Sequence, residues 1–194
     1  EYPNELIVEW GIESPDNLSD GECNFTIGDE IAGECNENGV CDDNESYESC
    51  PNDCGLECPA DLVVLWDVSY DIASTTQLSL GESGLTTPIP AEIGCLTNLT
   101  YIDLSSNVLT GSIPSEIGNL TNLDYLYLGY NSLTGSIPSE IGNLVNLNML
   151  NFRDNFLSGN IPNEIGNLTE LTNLNFANNE LTGPIPSEIG NLTE

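Results

Sequence analysis

Acidic side chains dominate this sequence, whereas most of the usual catalytic partners are missing. The 194 residues contain 32 Asp and Glu, a single basic residue, Arg153, and no His, so the formal net charge is −31. Without His or Lys, nucleophilic sites of the Ser/His/Asp and Cys/His types are excluded. Paired carboxylates are compatible with glycoside hydrolysis. Acids in turns are usually solvated, however, so we expect a protein that is not an enzyme.

One stretch of oxygen-bearing residues has a spacing that suits calcium. An EF-hand-like loop has ligands at positions 1, 3, 5, 9 and 12 and a Gly at position 6. Counted from Glu34, these ligand positions fall on Glu34, Asn36, Asn38, Asp42 and Glu45. Cys35 and Cys41 interrupt the loop, so a disulfide-stapled acidic loop without metal is the alternative. Ca²⁺ is the one cofactor that the sequence suggests.

A second group of binding residues lies where alternating apolar and polar residues predict strands. The exposed positions of three such segments carry Tyr101, Asp103, Asp124, Tyr125, Tyr127, Tyr130, Arg153 and Asp154. Neighbouring strands lie about 4.8 Å apart, so we expect the four Tyr side chains to gather on one surface. Tyr offers a flat apolar area and a hydroxyl, which suits protein and glycan ligands. The simpler interpretation is that these Tyr residues have no binding role and are present because Tyr has a high strand propensity.

These positions recur because the chain repeats itself every 24 residues. The gap-free units are 72–95, 96–119, 120–143, 144–167 and 168–191, and a sixth begins at Leu192. In each unit an alternation predicts a short strand, Gly and Pro predict a turn, and a final segment predicts one turn of helix. One unit cannot bury its own apolar edge, so stacked units are expected to form a continuous core.

An Asn follows the predicted strand in four of the units, at Asn107, Asn131, Asn155 and Asn179. Its side chain carries both a donor and an acceptor. We therefore expect stacked Asn side chains to satisfy backbone groups where the chain leaves each strand. The first unit has Ser83 at this position, as suits an edge repeat.

The pattern LxxLxLxxNxLTGxIPxxIGNLxxL over residues 72–194 resembles plant-type leucine-rich repeats. Such repeats occur in receptor-like kinases, polygalacturonase-inhibiting proteins and a plant antifreeze protein, and similar ones occur in secreted microbial proteins. The resemblance implies an α/β repeat solenoid. This is a right-handed superhelix with a parallel concave β-sheet and short 3-10 helices, here with a small disulfide-rich N-terminal segment.

The predicted organisation has four parts: an extension or linker (1–22), a Cys-rich acidic module (23–58), a cap of the solenoid (59–71) and the repeats (72–194). Six of the seven Cys fall between Cys23 and Cys58, which indicates disulfides and an oxidising compartment. Residues from Trp66 to Val68 resemble the end of the plant-type cap, although Tyr70 stands near the position of the family's Cys. Cys95 replaces a recurring Asn and is placed to tie the cap to the first repeat.

We therefore predict a non-catalytic recognition module, secreted or displayed on a cell surface, that binds a protein or a glycan on its concave face. The negative charge excludes nucleic acid as a partner, and no apolar run is long enough to insert into a membrane. The chain begins at Glu1 rather than Met, so we expect it to be part of a longer secreted precursor.

Two alternatives remain open at this point. Ice binding is suggested by the resemblance to an antifreeze protein, and a flat, repeated row of Thr would support it. The equivalent exposed position of each repeat on the concave face is irregular, however: Thr76, Thr100, Asp124, Asn148 and Thr172. The other alternative is a structural spacer within a large cell-surface protein, with which nearly identical repeats are compatible.

Overall fold

The computed structural model describes residues 26–27, 30–31 and 58–192. The chain divides into two units, Glu1–Glu57 and Cys58–Glu194. In the first unit, β1 (Thr26–Ile27) and β2 (Glu30–Ile31) pair in antiparallel fashion. In the second unit the strands are β3 (Leu62–Leu65), β4 (Val68–Asp71), β5 (Gln77–Ser79), β6 (Tyr101–Asp103), β7 (Tyr125–Tyr127), β8 (Met149–Asn151), β9 (Ser158–Asn160), β10 (Asn173–Asn175) and β11 (Glu180–Thr182).

A five-stranded parallel sheet takes one strand from each repeat, in the order β5, β6, β7, β8 and β10. Its register pairs residues that are one repeat apart, so Leu78, Ile102 and Leu126 lie side by side. These middle residues point inwards and are fully buried, whereas the residues on either side of them point outwards. The predicted parallel sheet is thus confirmed, and β9 and β11 form a second, two-stranded parallel sheet.

Each repeat ends in a 3-10 helix, as the sequence predicts. The five helices are Ala91–Cys95, Ser115–Asn119, Ser139–Asn143, Asn163–Asn167 and Ser187–Asn191. A Pro precedes each one; at Pro114 its φ is −67°, close to the angle at which a Pro ring fixes the backbone. The close stacking of neighbouring repeats also needs Gly inside the helix. A Cβ atom on Gly118 would lie only 2.6 Å from the backbone oxygen of Glu140 in the next repeat.

The predicted role of the recurring Asn is confirmed by its hydrogen bonds. The Nδ2 of Asn131 donates to the carbonyl oxygens of Leu128 in its own repeat (3.1 Å) and of Leu104 in the preceding one (2.9 Å). Its Oδ1 accepts from the backbone N–H of Leu109 (3.0 Å). Equivalent bonds are made by Asn107, Asn155 and Asn179. We call these four side chains the asparagine ladder.

A β-hairpin made of β3 and β4 precedes the first repeat. Its buried residues Val63 and Leu65 lie on β3, which contacts the first 3-10 helix. A disulfide joins Cys58 to Cys95, with 5.4 Å between their Cα atoms. Cys95 therefore does tie the segment ahead of the repeats to the first repeat, and its partner is Cys58 rather than a residue near Tyr70.

The asparagine ladder predicts a large and specific loss of stability on truncation. In Asn131→Ala, at a side chain that is only 8% exposed, the N–H of Leu109 loses its acceptor. The carbonyl oxygens of Leu104 and Leu128 each lose one of two Asn donors. A buried donor left without a partner costs about 1–3 kcal/mol, and each lost hydrogen bond about 1 kcal/mol, so the free energy of unfolding should fall by roughly 2–4 kcal/mol. Urea denaturation followed by circular dichroism measures this change.

The matched control is Asn122→Ala. Asn122 is exposed and donates one hydrogen bond, to the carbonyl oxygen of Thr97 (2.9 Å). Its removal should cost about 1 kcal/mol or less. Equal losses in the two variants would contradict a structural role peculiar to the ladder.

Candidate functional site: the tyrosine face

Three of the predicted binding residues form one surface on β6 and β7. Tyr101, Tyr125 and Tyr127 flank the buried middle residues of their strands and therefore project from the outer side of the sheet. Ring centroids are 6.0 Å apart for Tyr101 and Tyr125, and 5.9 Å for Tyr101 and Tyr127. Tyr125 and Tyr127 lie 6.5 Å apart with an interplanar angle of 9°. We call these three rings the tyrosine face.

Two acidic residues lie beside the tyrosine face and are held by hydrogen bonds. The Oδ1 of Asp103 accepts from the backbone N–H (3.0 Å) and the hydroxyl (2.6 Å) of Ser105. The Oδ1 of Asp124 accepts from the Nδ2 of Asn148, one repeat further on (2.7 Å). Both carboxylates are therefore fixed at the edge of the ring surface, where a ligand donor or cation could reach their remaining lone pairs.

Burial and these acids keep the phenols of Tyr101 and Tyr127 protonated. Desolvation raises the pKa of Tyr101, and the negative charge of Asp103 raises it further. Desolvation also raises the pKa of Tyr127, with additional contributions from Tyr125, Asp103 and Asp124. Since a tyrosine normally titrates near pH 10, the hydroxyls of Tyr101 and Tyr127 are neutral donors at physiological pH.

The other predicted residues form a second cluster around the only Arg. The guanidinium carbon of Arg153 lies 5.6 Å from the ring centroid of Tyr130, a cation–π geometry. Its Nε donates to the Oδ2 of Asp154 (2.6 Å), and the Oδ1 of Asp154 accepts from the Nδ2 of Asn178 (2.7 Å). The pKa of Asp154 is lowered by the bond from Asn178 and by Arg153, so its carboxylate stays charged. We call these four residues the arginine cluster.

A surface depression lies next to the arginine cluster, beyond the C-terminal ends of β7, β8 and β10. It has a volume of about 270 Å³ and is lined by Asn131, Asp154, Asn155, Phe156 and Asn178. We call it the flank pocket.

Phe156 and Asn178 are not among the site residues predicted from the sequence. One signal was available, because Phe156 is the only aromatic residue at its repeat position, where other units have Val108, Ser132 and Glu180.

The predicted calcium ligands Glu34, Asn36, Asn38, Asp42 and Glu45 lie outside the described residues. Within the described part of the chain, no three His, Cys, Asp or Glu side chains are grouped as metal ligands would be. The same part contains no helix of sufficient length and apolar character to cross a membrane.

Comparison with protein families gives matches over the repeats. Residues 77–177 match the family described as "Leucine-rich repeat region", and residues 170–192 match "Leucine Rich Repeat". No curated protein sequence matches the chain significantly.

Several solved plant structures are similar to the chain. One is the leucine-rich-repeat ectodomain of the Arabidopsis thaliana membrane receptor kinase GASSHO1/SCHENGEN3, in complex with CASPARIAN STRIP INTEGRITY FACTOR 2. It is 44% identical, with a TM-score of 0.60 over 60% of this chain and 14% of that one. The ectodomain of the Arabidopsis receptor kinase HAESA, in complex with an N-terminal extended IDA peptide hormone ligand, is 36% identical, with a TM-score of 0.56 over 59% and 20%.

A plant ice-binding protein is also similar, with 37% identity and a TM-score of 0.51 over 54% of this chain and 34% of that one. The chain thus spans far less than two thirds of the length of each of these three proteins.

Removing the charge of Asp103 should change how Tyr101 and Tyr127 titrate. In Asp103→Asn we expect the pKa of Tyr101 and of Tyr127 to fall, because a negative charge near both phenols is lost. Asn fits this position, since Asn151 and Asn175 occupy it in later repeats and accept a backbone hydrogen bond of 3.0 Å there. Phenolate absorbance across an alkaline titration measures the shift.

The raised pKa values of Tyr101 and Tyr127 also make the free energy of unfolding depend on pH. Their contribution to stability is fully present below the unfolded pKa of about 10 and is lost as the pH rises through the folded values.

Asp61→Asn, an exposed change in the cap, is the control and should leave the titration unaltered. An unchanged titration in Asp103→Asn would contradict the described electrostatics. Tyr70, whose pKa burial raises, titrates alike in all three proteins.

Proposed function

Since the chain belongs to the leucine-rich-repeat family, we propose that it is a non-catalytic recognition module whose tyrosine face binds an extracellular protein or peptide. The observation that carries this proposal is the gathering of Tyr101, Tyr125 and Tyr127 within 6.5 Å of one another. Tyr is enriched among the residues that dominate binding energy at protein interfaces. The strand side of a repeat solenoid also offers an extended surface for a ligand.

The ligand class is supported by the similar solved structures. HAESA is described with a peptide hormone ligand, and GASSHO1/SCHENGEN3 with CASPARIAN STRIP INTEGRITY FACTOR 2. Both are receptor ectodomains, which favours an extracellular location for this chain too. The density of Cys between Cys23 and Cys58 fits the same oxidising environment.

The charge distribution favours a partner with basic groups. Asp103 and Asp124 border the three rings, and the chain carries a net charge of −31. Opposite charge on the partner accelerates diffusional encounter and suppresses acidic competitors. Binding should therefore combine contacts to the rings, which supply affinity, with a strong dependence of the association rate on salt.

The central prediction concerns the two rings of β7. In the double variant Tyr125→Ala/Tyr127→Ala, we expect affinity for the protein or peptide ligand to fall at least about 100-fold, because interface anchors contribute roughly 2 kcal/mol or more each. The labelled chain is first screened on arrays of secreted proteins, peptides and glycans. Surface plasmon resonance then compares the wild type and the variant on the ligands found.

The matched control is Val108→Ala/Val145→Ala, which truncates two exposed apolar side chains outside the strands of the sheet and should leave affinity unchanged. Circular dichroism establishes that all proteins are folded. Binding to glycans alone would make the proposed ligand class wrong. Binding to nothing on any array would favour the spacer interpretation.

Ice binding is a second candidate, favoured by similarity to a plant ice-binding protein and by a row of hydroxyl residues away from the tyrosine face. The row consists of Thr86, Thr110, Thr134, Ser158 and Thr182. Its regular spacing is set by backbone hydrogen bonds of 2.8 Å, from Thr134 N–H to Gly111 and from Ser158 N–H to Gly135. The concave column that contains Thr100 and Thr172 is less suitable, because Asp124 and Asn148 interrupt it. The hydroxyls of Thr100 and Thr172 also donate to backbone carbonyls of the preceding repeats (3.2 and 3.1 Å), whereas the bond of this kind from Ser158 is longer, 3.5 Å.

This second candidate predicts thermal hysteresis in a nanolitre osmometer. Thr110→Lys/Thr134→Lys should abolish it, because two long charged side chains interrupt the surface that must match the ice lattice. Tyr125→Ala/Tyr127→Ala should leave it unchanged. A wild-type chain that shows no hysteresis removes the candidate.

A further inference from the structure

Three of the side chains that line the flank pocket, Asp154, Phe156 and Asn178, stand at positions that vary from repeat to repeat. Phe156 is 53% exposed and forms an apolar wall beside the polar residues Asp154 and Asn178. The remaining lining residues, Asn131 and Asn155, belong to the asparagine ladder, so their amides are already bonded to the backbone. A ligand in this pocket would therefore contact one aromatic ring, one carboxylate and one amide.

The polar groups of the flank pocket are held in place before any ligand arrives. Asp154 accepts one hydrogen bond from Asn178 (2.7 Å) and one from Arg153 (2.6 Å). Each oxygen of the carboxylate keeps a free lone pair, and the amide of Asn178 keeps one N–H and its carbonyl. Such fixed groups lose little entropy on binding, which favours a small ligand.

The local charge excludes two classes of ligand. Arg153 neutralises Asp154 through their ion pair, so a cationic ligand would compete with a guanidinium that is already in place. An anionic ligand would be repelled by a chain of net charge −31. Neutral ligands remain, and among them the free lone pairs of Asp154 and the amide of Asn178 favour one with several hydroxyl groups.

We propose that the flank pocket binds the ring of a neutral sugar. A pyranose has a face of C–H groups, which suits the exposed ring of Phe156, and a rim of hydroxyls, which suits Asp154 and Asn178. The volume of about 270 Å³ is at the lower limit of small-molecule pockets, which fits one sugar unit at the end of a longer glycan. This site is independent of the function proposed for the tyrosine face.

Saturation-transfer NMR on the full chain tests the site with four probes: methyl β-D-glucoside, methyl β-D-galactoside, methyl α-D-mannoside and methyl N-acetyl-β-D-glucosaminide. Each is used at about 10 mM, since so small a contact area gives millimolar dissociation constants. We expect transfer to the ring protons of at least one glycoside. In Phe156→Ala the affinity should fall about tenfold, and in Asn178→Ala several-fold.

Two controls separate this site from the rest of the molecule. Val108→Ala changes the same repeat position two units earlier and should bind the glycoside as the wild type does. Tyr125→Ala should also bind it normally, so a failure of the tyrosine face as a protein site would leave the result intact. The thermal transition of each variant establishes folding, which an exposed residue such as Phe156 is not expected to alter.

Three results would overturn the proposal. None of the four glycosides shows transfer to the wild-type chain; the affinity persists in Phe156→Ala; or methyl glucuronide, the anionic counterpart of the glucoside, binds as tightly as the neutral sugar.

Discussion

The asparagine ladder is the interaction on which this fold depends. Each rung satisfies a donor and two acceptors of the backbone where the chain leaves a strand, and each reaches into the preceding repeat. If neighbouring repeats were offset differently, these backbone groups would be buried without hydrogen-bond partners, which would lower the free energy of unfolding. The ladder thereby keeps the repeats in register, and the fully buried residues Ile102, Leu126 and Leu150 then stack into one apolar core.

The register has a direct consequence for function. Since equivalent positions of neighbouring repeats lie side by side, departures from the consensus at exposed positions become neighbours in space. Tyr101 is adjacent to Tyr125, and Asp103 to Tyr127. The backbone of the repeat is fixed by the ladder, the prolines and the close helix contacts at Gly118, so the outer strand positions are free to specify a ligand without cost to the core.

Arg153 sets the charge of the flank pocket. Its guanidinium lies over Tyr130 and neutralises Asp154 at the edge of the pocket. Its position gives the pocket a balanced charge in a chain that is otherwise strongly acidic. The tyrosine face has no such balance, because Asp103 and Asp124 border it, and the two surfaces therefore favour different ligands: basic protein segments for the face, and neutral sugars for the pocket.

The sequence alone determined the repeat period, one strand and one short helix in each repeat, and the role of Asn131, because these depend on local preference and periodic burial. It also brought Tyr101 and Tyr125 together, since side chains one repeat apart must be neighbours. Only the tertiary structure decided that Cys58 is the partner of Cys95 and that Phe156 and Asn178 line the same surface depression. Disulfide partners and pocket walls depend on side-chain directions and on contacts distant in sequence, and a repeating pattern by itself fixes neither.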